Sequence, residues 1–319
     1  MTTNGGKEQG KFTIIALESG IEYSDFESAP DEPLLIQVKG IWPEVLAVLS
    51  QKFEVDLEDL QDLQDLDERP RLQIEDKFAM IVLRVPVDLN RVDREISTNP
   101  IGIFTNGRDI IILQNDEIPM RKRRLKGVLR RTATATGAIY NIWEIVIHSF
   151  ETTLDIIEAM IKDVEGRILS EIYPSQLDRF FQLSRDAVFM EAALKSNMKV
   201  LRRLQRNVRF GRMILDEDRL EELEVDLQQQ LELSAIYREL IDNAMNAYDS
   251  IVGHNLSRVM KTLTSISLLV SVPTLIASLM GMNVGLPFST EPGAFLLVLL
   301  ASLLITTPFL LYLRLKNLV

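Results

Sequence analysis

Residues 262–280 read TLTSISLLVSVPTLIASLM, and residues 294–313 read AFLLVLLASLLITTPFLLYL. Neither run contains a charge, and each has about the 20 residues that a helix needs to cross a bilayer core. Only Gly281–Gly293 separates them, a stretch holding Asn283, Gly285, Pro287, Pro292 and Gly293, so a tight hairpin of two membrane-spanning helices is expected. Arg258 and Lys261 precede the first run and Arg314 and Lys316 follow the second, whereas the loop carries one charge, Glu291. Basic residues gather on the cytoplasmic side of spans, which puts both termini in the cytoplasm. A buried hairpin of a soluble protein is the competing reading, disfavoured by the length of both runs and by their flanking charges.

The two runs differ in kind. In the first, Ser257, Thr264, Ser271 and Ser278 recur every seven residues, with Met260, Ser267, Thr274 and Gly281 as a second series between them. Such spacing lays small, mostly polar residues along one helix face. Leu263, Ile266, Leu269, Val270, Leu275 and Ile276 supply apolar bulk on the rest. Small and hydroxyl residues also line ordinary contacts between membrane helices. The alternative is that several copies of the helix surround a watery pore, and one copy has too little wall to do so alone. The second run is nearly all Leu, Val, Ile and Phe apart from Ser302, Thr306, Thr307 and Pro308, as suits an outer helix facing lipid.

Upstream, a helical pattern from about Asp218 runs through Tyr248 into the first span, interrupted only by Gly253 before Pro273. It predicts one long stalk helix, with Pro273 as a place to bend. Further back, periodic segments over Thr134–Ile172 and Gln176–Arg206 predict helices. Short β-rich runs at Lys11–Leu17, Leu34–Val38, Leu72–Ile74, Phe78–Val85, Ile101–Thr105 and Asp109–Leu113 alternate with turn signals, and helices fit Trp42–Phe53 and Leu57–Leu66. The expected fold is an α+β cytoplasmic domain followed by a long stalk helix and a two-helix transmembrane hairpin. Its parts are a disordered N-terminus (1–10), an α/β subdomain (11–131), a helical subdomain (132–215), the stalk (216–261), the first span (262–280), an external loop (281–293), the second span (294–313) and a cytoplasmic C-terminus (314–319).

Composition narrows the function. Among 319 residues there is no cysteine and there are only two histidines, His148 and His254, which excludes disulfides and thiolate metal sites and disfavours a zinc cage. A net charge of −11 argues against nucleic acid as a partner and suits a protein that handles cations. The basic run Arg121–Arg131 is expected to pair with acidic faces of the same protein. The N-terminus lacks the apolar core of a signal peptide, as expected of a cytoplasmic head. No GxxxxGK[ST] loop, nucleophile–base pattern or histidine cluster points to an enzyme.

The first span ends in Gly281-Met282-Asn283, where the glycine is expected to stop the helix. That triplet closes a span opened by Val259-Met260-Lys261-Thr262-Leu263-Thr264 and centred on Pro273-Thr274-Leu275-Ile276-Ala277. Upstream stands Glu68-Arg69-Pro70-Arg71, followed by the strand FAMIVLRV at Phe78–Val85. Together these resemble the CorA family of magnesium and cobalt transporters over roughly residues 30–316.

The resemblance implies a pentameric channel in the cell membrane: a homopentamer whose first spans line a pore through Ser257, Met260, Leu263, Thr264, Ser267, Ser271, Thr274 and Ser278, with a selectivity filter at Gly281, Met282 and Asn283. Mg²⁺ is then both cargo and regulator, with no organic cofactor, and Asp88, Glu222 and Asp226 are the candidate regulatory metal ligands between subunits. Ser257 stands where the family often has asparagine, and Ser271 where it often has a bulky methionine, which shifts a hydrophobic gate toward Leu263 and Met260. Competing functions are a Zn²⁺, Co²⁺ or Ni²⁺ transporter of the same superfamily, and a membrane-anchored scaffold or sensor.

Overall fold

The computed structural model describes residues 12–75, 78–87, 96–115, 134–168, 174–207, 209–210, 213–282 and 292–315. The N-terminal residues 1–10, Asp88, the basic run 121–131, Asn283 and residues 316–319 lie outside the described residues. The chain divides into a unit of Met1–Ala244 and a unit of Met245–Val319.

The first unit is built on a seven-stranded sheet with the order β2-β1-β3-β7-β6-β5-β4. Its strands are β1 (Phe12–Ala16), β2 (Glu22–Tyr23), β3 (Leu34–Lys39), β4 (Arg71–Ile74), β5 (Ala79–Pro86), β6 (Thr98–Thr105) and β7 (Ile110–Gln114). All neighbours are antiparallel except β3 and β7, which run parallel with Leu35 opposite Ile110 and Lys39 opposite Gln114. Runs such as AMIVLRVP on β5 and TNPIGIFT on β6 are almost wholly buried, as expected for strands covered on both faces.

One face is covered by α1 (Pro43–Phe53), α2 (Leu57–Gln61) and the 3₁₀ turn Asp62–Gln64. Pro43 opens α1 in the first-turn position where its missing N–H costs nothing. Leu46, Leu49, Leu60 and Leu63 then pack on Ile14, Ile36, Met80, Val82 and Phe104. Gly102 on β6 makes room for Leu63, since a Cβ there would lie 2.3 Å from Leu63 Cδ1 and 2.8 Å from the Phe104 ring. The Glu68-Arg69-Pro70-Arg71 element closes this layer. Arg71 pairs with Asp62 at 2.7 Å and with Glu68. The half-buried Arg84 guanidinium donates through Nε to Thr98 Oγ1 at 2.8 Å and through Nη1 to Glu68 O at 3.3 Å. Burial lowers its pKa, with Asp67 and Asp65 opposing.

Two long helices, α3 (Ala135–Ile168) and α4 (Pro174–Arg206), belong to the same unit and contact the sheet, α4 mainly along β5. Thr134 caps α3 by accepting from Gly137 N–H at 3.2 Å. Strand β4 pairs with β5 only as far as Val82, and beyond it the Asn197 side chain of α4 takes over. Its Oδ1 accepts from Arg84 N–H at 2.9 Å and its Nδ2 donates to Arg84 O at 2.8 Å. A buried side-chain amide thereby completes the ladder, which leaves no orphaned backbone group at that point. A short hairpin of β8 (Arg209–Phe210) and β9 (Met213–Ile214) follows.

The next helix, α5, is continuous over 64 residues from Glu217 to Met280. Asp216 caps it, accepting from Asp218 N–H at 3.0 Å, and Asp216 N–H donates to Tyr140 Oη at 2.6 Å. Within the first unit Leu220, Leu223, Leu227 and Ile241 form its buried face. Polar stitches flank that face. Glu224 accepts from Arg202 at 2.7 Å and from Gln205 at 2.8 Å, and Arg238 donates to Glu191 at 2.8 Å. The Tyr237 hydroxyl bonds Glu158, and burial followed by that carboxylate pushes its pKa up to about 12. The last helix, α6, spans Ala294–Leu315.

Candidate ion pathway

The second unit contains the end of α5 and all of α6, and its exposure pattern is the reverse of a soluble core. Leu263 is 56% exposed, Leu275 62% and Phe295 82%. Helices α5 and α6 each contain a stretch long and apolar enough to cross a membrane, and none of that stretch of α5 is buried within the chain. A soluble hairpin would hide these side chains, so their natural surroundings are lipid or other subunits.

Half-buried positions on the span of α5 are Ser265, Leu268, Val272, Pro273 and Ile276, which recur at helical spacing. On α6 the covered positions are Ser302 (3% exposed) and Thr306 (2%), with Val298, Leu310 and Leu313 half-buried. This is the burial pattern of two helices lying side by side. The hydroxyls buried there are satisfied within their own helix, Ser302 donating to Leu299 O and Thr306 to Ser302 O, both at 2.7 Å.

The small-residue stripe lies on a different face. Ser257, Met260, Leu263, Thr264, Ser267, Ser271, Thr274 and Ser278 are all exposed. Thr264 donates to Met260 O at 2.8 Å, Ser271 to Ser267 O at 2.5 Å and Thr274 to Val270 O at 2.7 Å. A hydroxyl that gives its proton to a backbone carbonyl offers only lone pairs outward. Water around a cation points its hydrogens outward, so a face of acceptors suits a hydrated cation without removing its shell.

The end of the span falls where the sequence puts it, at Gly281. Helix α5 stops at Met280, but Gly281 is not in the left-handed conformation of a glycine cap. Gly281 N–H bonds both Ala277 O (3.0 Å) and Ser278 O (3.2 Å), and Met282 N–H bonds Leu279 O at 3.4 Å, so the helix closes by tightening its last turn. Among the described residues, a Cβ at Gly281 would meet only those two carbonyl oxygens, at 3.6 Å. Neither strain nor crowding among the described residues demands glycine at this position.

Among the candidate regulatory carboxylates, Glu222 and Asp226 lie one turn apart on the exposed side of α5. Their neighbour Glu224 is instead engaged with α4, where the Arg202 and then the Gln205 hydrogen bonds hold its carboxyl below the usual range. Among the described residues no group of three His, Asp or Glu side chains is arranged to hold a metal ion. The hydroxyls of Ser302 and Thr306 mark the covered side of α6; their spacing of four in an apolar helix was the available signal, but it does not reveal which element covers them.

Two exposed apolar helices, one with a separate hydroxyl face, are what an integral membrane protein presents. Comparison with known proteins identifies the family: residues 41–315 match the model of the CorA-like Mg²⁺ transporter protein family. The chain is 26% identical over 301 residues to the cobalt/magnesium transport protein CorA of Methanocaldococcus jannaschii, covering 90% of this chain and 93% of that protein. It is 20% identical over 288 residues to the corresponding protein of Thermotoga maritima, covering 87% and 79%. The complete structure of the CorA magnesium transporter from M. jannaschii superposes with a TM-score of 0.81 at 24% identity, covering 95% of this chain and 97% of that one. The chain belongs to the CorA-like Mg²⁺ transporter family, a family of membrane transporters and not of enzymes.

Proposed function

We propose that the chain forms a homopentameric channel in the cell membrane that admits hydrated Mg²⁺, with Co²⁺ or Ni²⁺ as further cargo, both termini being cytoplasmic. The observation that carries this reading is the hydroxyl face of α5, which is exposed and distinct from the positions matched to α6. A simple anchor gains nothing from such a face, whereas a ring of copies turns it into a wet wall. The cobalt and magnesium named for the relatives support the choice of ions.

In this reading Gly281, Met282 and Asn283 form the outer filter. Neutral amide oxygens of Asn283 hydrogen-bond the waters of a passing ion and release it, where a carboxylate would hold it too firmly. Leu263 and Met260 narrow and dry the inner end. The driving force is the membrane potential, since a divalent ion gains about 4.6 kcal/mol on crossing roughly 100 mV. Cytoplasmic Mg²⁺ shared by Asp88, Glu222 and Asp226 of adjacent subunits closes the pore. The exposure of Glu222 and Asp226, one turn apart, supports a role between subunits.

Flux into proteoliposomes under an inside-negative potential tests this, comparing wild type with Asn283→Ala. We expect Mg²⁺ entry that grows with potential and collapses in the variant. Entry of Zn²⁺, Co²⁺ or Ni²⁺ but not Mg²⁺ would transfer the protein to another metal, and no entry from intact oligomers would leave a scaffold.

A further inference from the structure

Helix α4 reaches the sheet where β4 gives out. The register of β4 on β5 ends with Arg71 opposite Val82, and two residues further along it Arg69 would face Arg84. The side chain of Asn197 takes that place instead. It is 0% exposed, and its amide supplies both a carbonyl and an N–H to the Arg84 backbone, as a neighbouring strand would. The Arg84 side chain is held as well, by Thr98 of β6 and by the Glu68 carbonyl. Arg84 is thus fixed from three directions, and Asp88 follows it by four residues in the chain.

A second buried side chain of α4 grips the returning strand. Asp186, 5% exposed, accepts from Ile96 N–H at 3.4 Å, next to the bond from Val87 N–H to Ser97 O at 2.8 Å. Asn197 and Asp186 are separated by about 16 Å along a single helix, so they hold the end of β5 and the start of β6 against one rigid bar. The same helix reaches α5 through Arg202 and Gln205, which bond Glu224, and Glu224 lies between Glu222 and Asp226. Each of the three candidate metal ligands is therefore within four residues of a group that α4 holds.

We propose that Asn197 is a positioning residue for the regulatory Mg²⁺ site, fixing the end of β5 from which Asp88 is presented, with α4 as the common frame for the carboxylates on its two sides. Mg²⁺ tolerates little departure from octahedral geometry, so a ligand carried on a loosened strand end binds it less well. The proposal rests on the regulatory reading of Asp88, Glu222 and Asp226 given above.

The test is Mg²⁺ protection of the full-length protein in detergent against protease, read as the Mg²⁺ concentration that gives half protection. Melts without Mg²⁺ check that each variant is folded. Asn197→Leu keeps the bulk and removes the amide, and should raise that concentration about tenfold. Asn197→Gln carries the amide one methylene too far and should give a smaller rise; it decides the matter if the leucine variant does not fold. Leu49→Ala weakens the cluster under α1 and should leave the half-protection concentration unchanged. An equal rise in Leu49→Ala would mean loss of stability alone and overturns the positioning role. So does an unchanged value in the Asn197 variants while Asp88→Ala raises it. If Mg²⁺ gives wild type no protection, or Asp88→Ala leaves the value where it was, the regulatory reading itself fails and the role of Asn197 falls with it.

Discussion

Helix α5 serves two solvents with one backbone. In its first half Leu220, Leu223 and Leu227 are buried and Glu217, Asp218, Glu221, Glu222 and Asp226 are exposed. In its span Leu263, Leu269 and Leu275 are exposed, and the polar groups are small hydroxyls, of which Thr264, Ser271 and Thr274 return their protons to the backbone. In water the hydrophobic effect decides which face is hidden; in lipid an exposed leucine loses nothing, and the constraint falls on polar groups. Burial therefore means stability in the first half, and exposure carries the functional information in the second.

The sharpest way to break this comparison is to make one change in both halves. Leu223→Ala should destabilise the head by about 2–5 kcal/mol, and Leu275→Ala should cost less than about 1 kcal/mol, read from thermal melts of the full chain in detergent. Similar losses at both sites would mean that Leu275 sits in a packed core.

The two glycines give a second contrast, smaller in size. Gly102→Ala drives a Cβ into Leu63 and should cost about 1–3 kcal/mol in the same melts. Gly281→Ala should leave the melt unchanged, since among the described residues its Cβ meets nothing closer than 3.6 Å. A loss of flux in Gly281→Ala without a loss of stability would then locate the need for glycine between subunits.

These pairs also show what the sequence could and could not reveal. The spans, the stripe, the long stalk and most strands follow from lengths and periods of apolar residues that neighbours do not alter. Periodicity predicts a helix with a buried side over Thr134–Ile172, described as Ala135–Ile168, but not what buries it, and the contact of α3 and α4 with the sheet is a tertiary fact. Asn197 reads as an ordinary polar residue of a helix; only the early end of β4 gives it a task. Gly281 was legible as the stop of the helix, and its backbone adds only that the stop does not use a left-handed glycine. The filter and regulatory roles rest on resemblance, because a ring contributed by several chains leaves little trace in one.

Titration offers a finer probe of the first half. Tyr237 holds its proton more tightly folded than unfolded, from an ordinary 10.0 up to about 12. Its contribution is therefore complete below pH 10 and is lost as pH rises through that window. Melting midpoints of wild type should drop between these values more steeply than those of Tyr237→Phe. The smallest effect is at Glu224, whose lowered pKa gives stability that fades as pH falls through and below the ordinary 4.5. Glu224→Gln should cost under about 1 kcal/mol at neutral pH and flatten the acid limb of the same curve.

The single parallel seam of the sheet, Leu35–Lys39 against Ile110–Gln114, has a consequence for assembly in time. On one side β1 and β3 form a local antiparallel pair, and on the other β4 to β7 form a meander of neighbours in sequence. Each half can form by short-range closure, but joining them requires strands about 75 residues apart to meet, which makes the seam the slow step of head folding. The last strand of the seam ends at Gln114, long before Thr262, so during synthesis the sheet has the time it needs before the first span leaves the ribosome.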